Sequence, residues 1–225
     1  MSHPPATSLA RITYPAPPWV LWGSMLVATF LVRADAVRER IPDPLQLITL
    51  PGGFAMGFIA VSRYTAGSTR EYSEVLAGTV VRHHNHYGPF VTESGVDDRQ
   101  AQIGGQEIWK LPRQLWRFEW EFDERETRVR VWDGVRLVLS ISDVPTQARL
   151  FPSSLHASML NAVAGQAALI PGTYMIRATS AAWKLQLPPD SPLAYLHPAS
   201  PAATLIIKGV ADVDALTVLP DAPPA

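Results

Sequence analysis

Residues Trp116-Arg117-Phe118-Glu119-Trp120-Glu121-Phe122-Asp123 alternate four aromatics with four charges. That two-residue period suits an extended strand with one buried and one wet face, because a helix would scatter the rings around its circumference. Asp133-Gly134 then separates Arg128–Trp132 from Val135–Ile141. It is a strong signal for a two-residue hairpin, whose turn needs the positive φ that glycine accepts. The segment is therefore expected to be an antiparallel meander. Apolar, β-branched runs predict further strands over Met25–Val32, Gly53–Val61, Val75–Arg82, Tyr174–Leu187 and Ala203–Val210. A short helix is expected over Ala34–Ile41, stopped by Pro42. Ser153–Leu169 fits either class: Leu155, Met159, Leu160 and Val163 have helical spacing, whereas Gly165 and Pro171 interrupt it.

A chain of 225 residues with 47% hydrophobic and 17% charged side chains can bury a large core, and one domain over 19–219 is expected. Residues 1–18 are rich in Pro, Ala and Ser and predict an extended arm, and 220–225 predict a frayed tail. A net charge of −1 supplies no field to draw nucleic acid, which is not expected as a partner. The run from Trp19 to Val32 is too short for a membrane span and reads as a buried strand. The N-terminus lacks the basic and apolar regions of a secretory signal, and cytoplasm is the default expectation. Without cysteine there are no disulfides, thiolate nucleophiles or Cys-type zinc sites.

Three segments carry further information. They are Ile41-Pro42-Asp43-Pro44-Leu45, then Tyr72-Ser73-Glu74-Val75, then Val96-Asp97-Asp98 leading through Ala101 to Gly105-Gln106-Glu107 and on to Pro112-Arg113-Gln114. In this order and spacing they resemble the acetoacetate decarboxylase family. The resemblance, arguable over about residues 20–120, implies an α+β, predominantly antiparallel sheet rolled into a cone or barrel, with a few short helices. It also implies a homo-oligomer. In that family a Pro-Lys-Lys segment supplies a lysine that forms a Schiff base with a ketone, activated by a neighbouring cation. Arg113 and Gln114 stand in those two places here, and a guanidinium cannot condense with a carbonyl. The family's arginine near the end of the first strand falls at Leu31, with Arg33 two residues on and on the same strand face.

The resemblance makes Glu74, Glu107 and Arg113 the candidate catalytic groups. Arg113 would bind a developing oxyanion, and the carboxylates would transfer protons. A second reading of Glu107 is structural: an ion pair with Arg113, or a hydrogen bond that closes the turn. Tyr64, Tyr72, His84, His86, Trp109, Gln114 and Trp116 are candidate substrate-binding residues around the same point. Phe118, Trp120 and Phe122 read as core. His84 and His86 would share a strand face, but no third metal ligand with proper spacing is evident, and no metal site or cofactor is expected. The chain has three lysines, Lys110, Lys184 and Lys208. Lys110 is the one near Arg113, and it leaves a weaker reading as a relocated Schiff-base amine. The expected partner is a hydrophobic, carbonyl-containing small molecule. The alternatives are an enzyme catalysing cyclisation, isomerisation or dehydration, and a carrier that changes no bond.

Overall fold

The structure, a computed structural model, describes residues 13–122, 127–149, 153–196 and 201–220. The outer parts of the expected arm and tail lie outside them. In chain order the elements are β1 (Trp19–Arg33), α1 (Ala34–Arg38), β2 (Gln46–Leu47), β3 (Thr49–Leu50), β4 (Phe54–Tyr64), β5 (Tyr72–His83), β6 (His86–Val96), α2 (Arg99–Ile108), β7 (Arg113–Leu115) and β8 (Arg117–Phe122). They continue as β9 (Thr127–Asp133), β10 (Arg136–Arg149), β11 (Ser153–Val163), β12 (Gln166–Gln186), a 3-10 turn at Ala194–Leu196, β13 (Pro201–Val213) and β14 (Thr217–Val218). The strands form one curled, half-barrel sheet in the order β7-β6-β5-β4-β1-β13-β12-β10-β9-β8. Every pairing is antiparallel except β6 with β7. The expected mostly antiparallel α+β architecture is the one observed. Among the described residues no helix is long and apolar enough to cross a membrane.

The hairpin marked by Asp133-Gly134 forms one residue further on: Asp133 pairs with Arg136, and the two turn residues are Gly134, at φ 59°, and Val135. Residues 153–169, undecided from spacing, resolve into a second hairpin. Ser153–Val163 pairs with the start of β12 through Ala164-Gly165, whose φ values of 51° and 80° are those of a tight two-residue turn. Two expectations need correction. Phe122, read as core, is 56% exposed and stacks on Trp120, because β8 is the edge strand of the sheet. Helix α1 ends at Arg38, before Ile41, and gives way to single turns closed by Arg40 and Ile41 onto the carbonyls of Val37 and Arg38. The Gly105-Gln106-Glu107 turn is the last turn of α2. That helix begins at Asp98, whose carboxylate accepts from the Ala101 amide at 2.7 Å, a side-chain cap that offsets two mid-helix glycines.

Strand β1 shows how one sheet serves two cores. At its start the buried residues are Trp19 and Leu21; further on they are Leu26, Ala28, Phe30 and Val32. Odd residues have given way to even ones, so the buried face changes along the strand. The even set joins Ile59, Val61, Val75 and Ala77 against β9, β10 and Trp116 in a dry core. The odd set joins Tyr64, Tyr72, Val96, Trp109 and Ile170 inside the curl. The exchange falls at Gly23–Met25. An added Cβ would lie 2.0 Å from the Arg63 carbonyl oxygen at Gly23, and 2.1 Å from that of Met175 at its ladder partner Gly209. Only glycine permits an approach this close.

Candidate functional site

Inside the curl, β5 carries Glu74 and the start of β7 carries Arg113. Both are about 2% exposed, and they form an ion pair between Glu74 Oε1 and Arg113 Nη2. Helix α2 shapes the space for the guanidinium. A Cβ on Gly105 would sit 2.2 Å from Arg113 Cδ, so glycine there leaves room for the arginine stem. Arg113 Nη1 donates to the Ala101 carbonyl at 2.7 Å. Its own carbonyl accepts from Gln106 Nε2 at 2.7 Å and Gln102 Nε2 at 3.2 Å. The guanidinium carbon lies 5.3 Å from the Trp109 ring centroid and 5.6 Å from that of Tyr72. Burial alone would lower the arginine's pKa, but the charge of Glu74, with smaller contributions from Tyr72 and Tyr64, outweighs it and the net shift is upward. Arg113 is a fixed cation already paired with a carboxylate.

Tyr64 donates its hydroxyl to Glu74 Oε2 at 3.2 Å. Burial first, and the Glu74 charge second, push this phenol well above its ordinary pKa, which keeps it neutral. The Tyr72 phenol is raised for the same two reasons. Tyr64 also lines an apolar cavity of about 260 Å³, together with Leu21, Met25, Tyr174, Ile176 and Ile207. The cavity thus meets the Glu74–Arg113 pair through Tyr64. Nothing in the sequence singles out Tyr174, since it lies on β12, far along the chain from the family-like segments. Its phenol is raised by burial and then by Glu74, so it shares the field of the same carboxylate.

The other candidates are dispersed. Glu107 is exposed on α2, where it accepts from the Tyr14 hydroxyl, so the ion pair considered for it is made by Glu74 instead. Trp109 is a buried wall of the Arg113 pocket, anchored by Nε1 to the Asp214 carbonyl at 2.7 Å. Trp116 is buried in the dry core, against Gly95. Gln114 is exposed. His84 sits in the β5–β6 turn at φ 52°, and His86 pairs with His83, so His84 and His86 do not share a strand face. Among the described residues no group of three or more His, Asp or Glu could hold a metal ion. Arg33 is a surface residue beside Asp35 and Phe54. Lys110 is exposed.

The acetoacetate decarboxylase family model matches residues 2–222, nearly the whole length. The chain belongs to the acetoacetate decarboxylase family. Solved structures agree on the fold. An acetoacetate decarboxylase from Legionella pneumophila is similar with a TM-score of 0.69 at 16% identity, over 96% of this chain and 92% of that one. The enduracididine biosynthesis enzyme MppR with HEPES bound gives a TM-score of 0.73 at 12% identity, over 96% and 92%. An acetoacetate decarboxylase-like enzyme from Sphingomonas wittichii RW1 gives 0.62 at 14%, over 95% and 98%. No curated protein sequence matches the chain. For this family member the fold is thus established by similarity, while the chemistry depends on its own side chains.

Proposed function

We propose that the protein is an enzyme acting on an apolar carbonyl compound by proton transfer, without an imine. The observation that carries this is Tyr64, a residue of the cavity wall whose hydroxyl is bonded to the buried Glu74. In the scheme, the ligand's carbon α to the carbonyl gives a proton to the Tyr64 oxygen while Tyr64 passes its own to Glu74 Oε2. The C–H electrons become the enolate, and return of the proton to another carbon or loss of a leaving group would give isomerisation, dehydration or cyclisation. Arg113 acts through Glu74, holding it in place, and is a positioning residue. Glu107, bonded to Tyr14, takes no part. Imine chemistry is disfavoured because no lysine is among the residues lining the cavity, and Lys110 is exposed. A homo-oligomer is also proposed, supported by Trp22 and Met175, exposed apolar residues in register on either side of Val210.

Deuterium uptake by a panel of unbranched ketones in heavy water, followed by NMR, tests the scheme whatever the final product is. Wild-type protein should accelerate exchange at the α carbon, and Tyr64→Phe should lower it about a hundredfold or more, the range general acid–base catalysis supplies. Ketone binding without exchange would identify a carrier. A lysine adduct trapped by borohydride would restore the imine.

A further inference from the structure

The row of residues across the concave face runs Tyr64 on β4, Gly23 on β1, Gly209 on β13 and Ile176 on β12. One step along β12 in the same side-chain phase is Tyr174, opposite Ala211. Tyr64 and Tyr174 therefore stand on either side of β1 and β13, whose facing positions are Gly23 and Gly209 in the Tyr64 row and Leu21 and Ala211 in the Tyr174 row, and both line the cavity. The Tyr174 ring lies back along its strand, and a Cβ on Gly172 would come within 2.6 Å of its hydroxyl. Tyr174 is only partly buried, and the enclosed phenol oxygen without a partner among the described residues is that of Tyr72. The accessible Tyr174 hydroxyl can therefore donate to whatever enters the cavity.

Charge narrows what it can receive. None of the residues lining the cavity is basic. Arg177 and Lys208 line an adjoining groove that shares Gly23, Ser24, Ile176 and Gly209 with the cavity, but both are exposed, and their register with Ser24 puts their side chains in the strand phase opposite to Gly23, Ile176 and Gly209. Arg113, behind Tyr64 and Glu74, is already paired with that carboxylate. An ionised carboxylate entering this apolar space would lose its hydration without gaining a counter-ion, a far larger cost than leaving a neutral oxygen there.

We propose that the cavity takes a neutral ligand bearing two oxygens, one against Tyr64 and the second held by Tyr174, and that it discriminates against carboxylates. This rests on the reading of the cavity as the ligand site and names the class of ligand. Acetonylacetone, levulinate and methyl butyl ketone have six, five and six carbons and differ mainly in the second functional group. Their affinities can be measured by ligand-observed NMR titration of the full chain. Acetonylacetone should bind at millimolar concentration and more tightly than either of the others. Tyr174→Phe, which removes one oxygen atom and preserves shape, should weaken acetonylacetone about fivefold, the worth of one neutral hydrogen bond, and leave methyl butyl ketone unchanged. Levulinate binding as well as acetonylacetone, a Tyr174→Phe variant with an unaltered ratio of the two ketones, or no acetonylacetone binding at all would each overturn the proposal. Acetonylacetone binding as described without deuterium exchange would leave the proposal standing and remove the enzymatic reading. Exchange on levulinate in preference to the dione would do the reverse.

Discussion

The two cores that share β1, β4 and β5 differ in kind. On the even face of β1, Phe30, Val32, Val61, Val131 and Ile141 pack with only carbon surfaces meeting. Inside the curl, Trp19, Val96 and Ile170 surround a carboxylate, a guanidinium and two phenols. Burying such groups costs several kcal/mol per ion before their mutual attraction is counted, so a core chosen for stability alone would omit them. The dry side is held by packing alone, while the polar side fixes Glu74 and Arg113 against each other and, under the proposed function, behind the Tyr64 that would meet a ligand.

The largest test of this contrast breaks the ion pair. Arg113→Met should cost about 3–5 kcal/mol in urea unfolding because Glu74 is left buried without a counter-charge, whereas Arg113→Met with Glu74→Leu should recover most of it. In the dry core Phe30→Ala should cost a comparable 3–5 kcal/mol through the cavity it leaves, with no partner change to restore it. If the double variant were no better than Arg113→Met, the two cores would not differ as argued. Gly105→Ala comes next. Its Cβ would collide with the Arg113 stem, so a loss of about 1–3 kcal/mol is expected, accompanied by weaker ketone binding as Glu74 shifts.

Alkaline titration sharpens the boundary between the cores. Tyr195, packed at the edge of the dry core, has its phenol raised from 10.0 to about 12, by burial above all. An unfolded chain releases this proton first, so folding stability should fall between pH 10 and 12 as the native state retains it. Phenolate absorbance followed alongside unfolding measures this directly, and Tyr195→Phe should remove its share of the slope. The smallest effect is expected at Lys208→Met, where stability should change by less than about 0.5 kcal/mol and cavity affinity not at all. A clear loss of affinity would place that amine in the site and undo the separation of the two sheet faces.

Much of this protein was legible in its residue order. Period-two alternation identified the strands around Trp120, Asp133-Gly134 marked its hairpin, and the family resemblance brought Glu74 and Arg113 forward as candidates without pairing them. These signals are local, or depend on a short characteristic order of residues, and so do not require the fold to be read. Other features had weaker local marks. The Ala164-Gly165 turn was obscured by chance helical spacing, and α2 by glycines whose purpose is visible only once Arg113 and Trp19 pack on them. Which carboxylate meets Arg113, and that Tyr174 shares a cavity with Tyr64 from more than a hundred residues away, were decided by tertiary structure alone. Strand pairing brings such positions together through hydrogen bonds between backbones, and backbones carry no record in the sequence of which partner they will choose.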